Sequence, residues 1–342
     1  MKKYKLFLDE SENRNANSLI VAGFAIDSDM ESDLNNSVYQ IKHLLWDDAY
    51  IKSASTVLHC TELSVIKNNR SNPRLSSVIK RDCYRFFDTL QANEIKDKID
   101  SVIEKIRITI NTKDITILGC IIDRNRFNDY YPHSNPLDDE YYIALETIIE
   151  NFVHFLNKNN AVGEIIYESR DNNDSINSAD VKMYQNFCRI LVNNKGIISF
   201  TSQEIQKRIR SFITVSKNEE IPGLEITDFI VFYIQKYLHT DATQKPDILK
   251  AIEKKTYNGS FDLSSRDLRN YFGVRKYPLP YEEISNQNTE LRRVKTALKK
   301  KKDENTKLNN KLKKIILEKR KEEQQLEQMK EELERLKMAQ NI

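Results

Sequence analysis

Glycine and proline are scarce, at seven of each in 342 residues. Together they make up about 4% of the chain, against an ordinary ~12%. That excludes collagen-like and Gly/Pro-rich disordered chains, and it predicts long regular elements with few tight turns. Cysteine is limited to Cys60, Cys83, Cys120 and Cys188, far apart and without a Cys-x-x-Cys pair. Neither a disulfide framework nor a zinc ribbon is supported. The N-terminal apolar run is too short for a signal peptide. No stretch approaches the ~18 apolar residues of a membrane helix. A glycine-rich phosphate loop and a Gly-x-Ser-x-Gly elbow are also missing. The expectation is a reduced, cytoplasmic, soluble protein with no membrane partner. Its length fits one large domain or two smaller ones.

What is abundant is charge, at 31% of residues, with a formal net charge of +3. The charge is unevenly placed. Ser285 to Ile342 carries 17 basic and 10 acidic residues, so the remainder is mildly acidic. Leu291 to Lys321 alone holds 14 basic and 3 acidic residues. A basic stretch beside an acidic body suggests a polyanionic partner, although a solvated charged helix is the better explanation for most of these lysines.

The tail has a heptad pattern. Leu291, Leu298, Asn305, Leu312, Lys319, Leu326 and Leu333 fall at a positions. Val294, Lys301, Leu308, Ile315, Glu322, Met329 and Leu336 fall at d positions. Ten of these fourteen are apolar and the register never breaks, which is the pattern of a coiled coil. Asn305 at an a position favours a parallel dimer. A lone helix cannot bury these leucines, so residues 291–336 predict a homodimer or higher homo-oligomer. The alternatives are a seam folded onto the body or gripping a protein partner.

The body reads as strands interspersed with helices, hence an α/β class. Tyr4–Asp9 and Ser18–Ile26 predict a hairpin around a polar loop. Helices are expected over Ser32–Leu45, Leu75–Leu90, Ile95–Ile106, Glu140–Asn157, Ala179–Val192 and Leu224–Leu238. Strands are expected over Arg107–Asn111, Ile115–Asp123, Gly163–Glu168, Ile197–Glu204 and Ser211–Val215. Asp9 and Glu168 end strands, and Asp228 lies in the first turns of a helix after the last strand. Strand C-termini converge at one edge of an α/β sheet, where sites are built. Carboxylates gathered there repel one another unless a cation binds. Oxygen ligands suit Mg²⁺ or Mn²⁺, and such ions serve phosphodiester hydrolysis. The bland alternative is that these carboxylates cap helices or sit harmlessly at strand ends.

Several segments occur in the order of a known family. Tyr4-Lys5-Leu6-Phe7-Leu8-Asp9-Glu10-Ser11 resembles the "aromatic, apolar, Asp-Glu-Ser-Gly" opening of the bacterial domain-of-unknown-function 3800 family. Leu58-His59, the helix Tyr142–Phe155, Ile165-Ile166-Tyr167-Glu168-Ser169-Arg170, Asp174, Ser216-Lys217, Gly223-Leu224-Glu225-Ile226-Thr227-Asp228-Phe229-Ile230 and Gly273–Pro278 resemble its later motifs. The resemblance spans residues 1–280 and leaves 285–339 as an added coiled-coil helix. It implies a ribonuclease-H-like mixed sheet flanked by helices, and a metal-dependent nuclease acting on RNA or DNA. Asp9, Glu168 and Asp228 would hold the metal. Glu10 and His59 would be secondary members, and Arg170 and Lys217 would hold phosphate. It also implies a bacterial setting among phage-defence genes. Departures are Glu12 and Asp171 where the family has Gly, and Val57 in place of an acidic residue. Glu62 is a candidate for that missing charge. The rival reading is a non-catalytic scaffold protein that assembles a complex through its coiled coil.

Two smaller expectations complete the reading. Lys207, Arg208 and Arg210 form a basic run between two predicted strands, suited to a nucleic-acid backbone or simply to solvent. Tyr130, Tyr131, Tyr141 and Tyr142 offer either stacking surfaces for bases or core packing.

Overall fold

A computed structural model describes residues 1–13, 17–125, 127, 136–169, 178–192, 200–217, 219–237, 245–257 and 273–277. In the tail it describes 301–302, 304–321 and four positions up to 330. The chain divides into two units, Met1–Pro278 and Leu279–Ile342.

The first unit is built on a six-stranded sheet. Its strands are β1 (Lys2–Asn13), β2 (Ser18–Asp27), β3 (Ile115–Asp123), β4 (Ala161–Glu168), β5 (Ile209–Val215) and β6 (Val274–Tyr277), in the order β5-β4-β1-β2-β3-β6. β1 pairs antiparallel with β2, as does β2 with β3. The pairs β1–β4, β4–β5 and β3–β6 are parallel. Only β2 therefore runs against the others. Its sequence Ser-Leu-Ile-Val-Ala-Gly-Phe-Ala-Ile is buried throughout, as expected for a strand covered on both faces.

The helices are α1 (Glu31–Lys42), α2 (Asp48–Ser53), α3 (Cys60–Asn68), α4 (Ala92–Thr112), α5 (Pro136–Lys158), α6 (Ser178–Val192), α7 (Ser202–Arg208), α8 (Pro222–Tyr237) and α9 (Asp247–Lys254). One core joins Phe7, Phe24, Ile117 and Ile166 of the sheet to apolar residues of α1, α3, α4, α8 and α9. On the opposite face, Tyr167 of β4 stacks on Phe212 of β5, which stacks on Phe187 of α6. The unit is thus an α/β domain with helices on both faces of a mixed sheet.

Three expectations need correction. The strand read at Arg107–Asn111 continues α4. A buried stripe of Ile95, Ile99, Val102, Ile106 and Ile110 holds the helix against the β-propensity of its isoleucines. The helix read over Leu75–Leu90 is instead two 3₁₀ segments, Leu75–Ser77 and Asp82–Thr89. Between them the Lys80 and Arg81 N–H groups donate to the Glu62 carboxylate (2.7 and 2.8 Å), and this replaces helical bonding. The strand read at Ile197–Glu204 ends in α7, started by a Thr201–Glu204 capping box; residues 197–199 lie outside the described ones. Lys207 and Arg208 therefore close a helix. Arg208 bonds Asn157 Oδ1 (2.6 Å) and the Ala161 carbonyl (2.9 Å), which makes it a strut of the fold.

In the second unit, residues 304–321 are helical. Leu308, Leu312 and Ile315, three consecutive seam positions, are 66%, 57% and 59% exposed. Leu291, Val294, Leu298, Glu322, Leu326, Leu333 and Leu336 lie outside the described residues. No helix among the described residues is long and apolar enough to cross a membrane.

Candidate active site

Side chains alternate across a strand, so Phe7, Asp9 and Ser11 share the face of β1 that α8 covers. Parallel register sets Phe7 beside Ile166 and Leu8 beside Tyr167. One step further, Glu168 comes level with Asp9 on that same face. α8 supplies Asp228, and the helix lies unusually close to β1. A Cβ on Gly223 would stand 2.6 Å from the Phe7 ring, so only glycine permits this approach.

The three carboxyl groups lie within each other's fields. Burial and the charge of Asp228 raise Asp9 above the usual carboxylate range. Burial and then Asp9 raise Glu168 further still. Burial raises Asp228. Asp9 and Glu168 act on each other's charge across the adjacent strands β1 and β4. Asp9 is 4% exposed, and its Oδ1 is buried with no hydrogen-bond partner. Lys217 supplies the counter-charge, with Nζ 3.6 Å from Glu168 Oε2. Asp9, Glu168, Glu10 and Asp228 all favour its ammonium form.

A second device fixes Asp228. The extended segment 56–60 runs alongside the start of α8, and its alternate N–H groups donate to acidic side chains. Thr56 N bonds Glu220 (2.8 Å), Leu58 N bonds Glu225 (2.8 Å) and Cys60 N bonds Asp228 Oδ2 (2.6 Å). The intervening groups are clamped by the Tyr84 hydroxyl, which accepts from His59 N (2.9 Å) and donates to the Val57 carbonyl (3.0 Å). Buried Lys42 bridges Glu220 and Glu225 at 2.8 and 2.9 Å. One oxygen of Asp228 is thereby committed to the start of α3.

Asp9, Glu168, Asp228 and Lys217 are thus brought together. His59 lies beside them, within the field of Lys217 and Asp9. It is the N-cap of α3, with Nδ1 accepting from Glu62 N at 3.2 Å. The neutral ring therefore carries its proton on Nε2, where it is a donor and not a base. Burial and the charge of Arg81 hold its pKa down at about 4. Glu10 points to the opposite face of β1, where its carboxylate accepts from the Tyr167 hydroxyl. Burial raises it to about 8. Glu62 is pinned by the 80–81 backbone and by Arg81 Nε at 3.4 Å, and its charge acts on His59. Arg170 and Asp174 lie outside the described residues, as do Tyr130 and Tyr131; Tyr141 donates to Glu12 (3.0 Å). Sequence reasoning missed Arg81, whose charge acts on both His59 and Asp228. It also missed the Lys42–Glu220–Glu225 network. No local periodicity marks them, because their partners are distant in sequence.

Among the described residues, no three His, Cys, Asp or Glu side chains form a ready ion cage. The residues at the sheet edge nevertheless suit a hard divalent cation. The donors are all carboxylate oxygens, and one buried oxygen of Asp9 lacks a partner. No known family model and no curated protein matches the chain.

Proposed function

We propose that the first unit is a metal-dependent nuclease of ribonuclease-H-like fold, hydrolysing phosphodiester bonds of RNA or DNA in the cytoplasm. The observation that carries this reading is the convergence of Asp9, Glu168 and Asp228 from three distant segments, with Asp9 Oδ1 buried and unpartnered. The sheet order supports it, since three antiparallel strands β3-β2-β1 continue into the parallel β4 and β5. A ribonuclease-H-like sheet would have this order, with β6 as an extension. The resemblance to the domain-of-unknown-function 3800 family points the same way and implies a role in phage defence.

Asp9, Glu168 and Asp228 would hold Mg²⁺ or Mn²⁺. Such an ion, when bound, supplies Lewis-acid activation of water and neutralises charge on the phosphate. The protein's own part is positioning and charge. The Cys60 N–H holds one oxygen of Asp228 in place. Lys217 keeps a positive charge against the carboxylates and serves a phosphate oxygen of the substrate. Arg81 adds a second cationic group on the His59 side. His59 Nε2 offers a hydrogen bond to that phosphate. Purified protein is expected to cut an RNA or DNA oligonucleotide with Mg²⁺ or Mn²⁺, and Asp9→Asn and Asp228→Asn to abolish cutting while retaining the native circular dichroism. Undiminished cutting in both variants would falsify the assignment.

A second reading is favoured by the exposed seam Leu308, Leu312 and Ile315. The protein is then a scaffold in which the tail assembles a complex and the carboxylates are vestigial. Calorimetric titration separates the two, because the scaffold predicts no heat of Mn²⁺ binding that Asp9→Asn removes. In either reading we assign the seam to self-association.

A further inference from the structure

A cleft of about 310 Å³ is lined by Ser11, Asn13, Thr61, Phe232, Gln235 and Lys236, further along the elements that carry Asp9 and Asp228. That volume lies at the lower end of small-molecule sites. The lining continues both elements that carry the site. Ser11 follows Asp9 by two residues on the same face of β1, ~7 Å along the strand. Phe232 and Gln235 follow Asp228 by one and two turns of α8, so the first stands ~6 Å further along the helix. Thr61 follows Cys60, whose N–H holds Asp228.

The chemistry of the cleft suits a nucleobase. Phe232 is a half-buried aromatic ring that also borders a second, 80 Å³ hollow. The Lys236 ammonium stands 5.5 Å from the ring centre. Gln235 is 7% exposed. Its Nε2 donates to Ser18 Oγ (3.1 Å), while its Oε1 is buried with no partner. A buried acceptor left unpaired is costly unless a ligand supplies the donor. Glu12 also lines the cleft, but Arg124 (3.2 Å) and the Tyr141 hydroxyl (3.0 Å) take up its charge.

The geometry points to a base-binding subsite. The cleft takes the base next to the phosphate being cut, stacked on Phe232, with an exocyclic amine donating to Gln235. A base enters such a cleft only when it is unstacked from its neighbours. The substrate is therefore single-stranded, with adenine or cytosine preferred over uracil at that position. This deepens the nuclease reading and rests on it for the identity of the neighbouring phosphate.

Saturation-transfer NMR on the full chain without metal tests the cleft, with adenosine, cytidine and uridine as probes. These nucleosides are uncharged, so the basic tail does not attract them. Transfer to adenosine and cytidine is expected, with roughly fivefold weaker binding of uridine, the worth of one hydrogen bond. Phe232→Ala is expected to abolish transfer from all three, and Gln235→Met to keep transfer while levelling them. Phe232→Leu replaces Phe232→Ala if circular dichroism shows the latter unfolded. No transfer, or equal transfer in wild type and Phe232 variants, overturns the subsite. Neither metal nor cutting enters this readout. Protein that cuts with Mn²⁺ but shows no Phe232-dependent transfer keeps the nuclease and loses the subsite. Phe232-dependent transfer in protein that never cuts retains the subsite and rejects the nuclease.

Discussion

Lys42 is buried between two carboxylates that bond the 56–60 segment. Removing one partner of a buried ion pair leaves an uncompensated charge, at a cost of about 3–5 kcal/mol. Lys42→Met is expected to lose that much in urea unfolding, and Lys42→Met/Glu225→Gln to recover part of it. His59 makes the pH prediction. Its folded pKa of about 4 lies below the ordinary 6.5, so the unfolded chain takes up the proton first. The stabilisation is complete above pH 6.5 and is lost as the pH falls towards 4. A shift of that size corresponds to roughly 3 kcal/mol. Asn also caps helices well, so His59→Asn should keep α3 and flatten the Tm–pH curve over that range. An unchanged slope would assign the acid loss to other groups. Asp9, Glu168 and Asp228 were legible in the sequence because each closes or interrupts an apolar run and sits in a segment that resembles a known family's motif. Lys42 and Arg81 were not, since Lys42 meets a partner 178 residues away and nothing local announces it.

Element by element, periodicity located every strand of the sheet's centre, and the β1–β2 hairpin formed as read. It failed where tertiary bonds displaced local ones. The 3₁₀ segments exist because Glu62 takes two backbone donors from the stretch between them, and α4 runs on because Ile95, Ile99, Val102, Ile106 and Ile110 meet the core. The same dependence on packing singles out Gly223. An added methyl group there meets the Phe7 ring at 2.6 Å, and overpacking of this kind costs about 1–3 kcal/mol. Gly223→Ala should therefore lower Tm and shift α8 from β1. Because α8 carries Asp228, the variant should lose metal-dependent cutting even at temperatures where circular dichroism shows it fully folded. Retention of full activity would mean that Phe7 yields instead.

At the scale of the molecule, the chain divides into two units. A chain ending at residue 278 is expected to keep the melting transition of the first unit and to sediment as a monomer, while the full chain sediments as an oligomer. Equal sedimentation of the two per subunit would remove the seam's role. The sheet itself was only partly legible, because adjacency between β1 and β4 depends on a parallel pairing across some 150 residues that no local pattern encodes. That pairing has a consequence for synthesis. The three acidic groups leave the ribosome in order, with Asp228 last, and β4 must find β1 across all that intervening chain. Nascent polypeptide thus carries no complete carboxylate cluster until α8 has emerged and docked, so the activity proposed for that cluster would arise only after that point of translation.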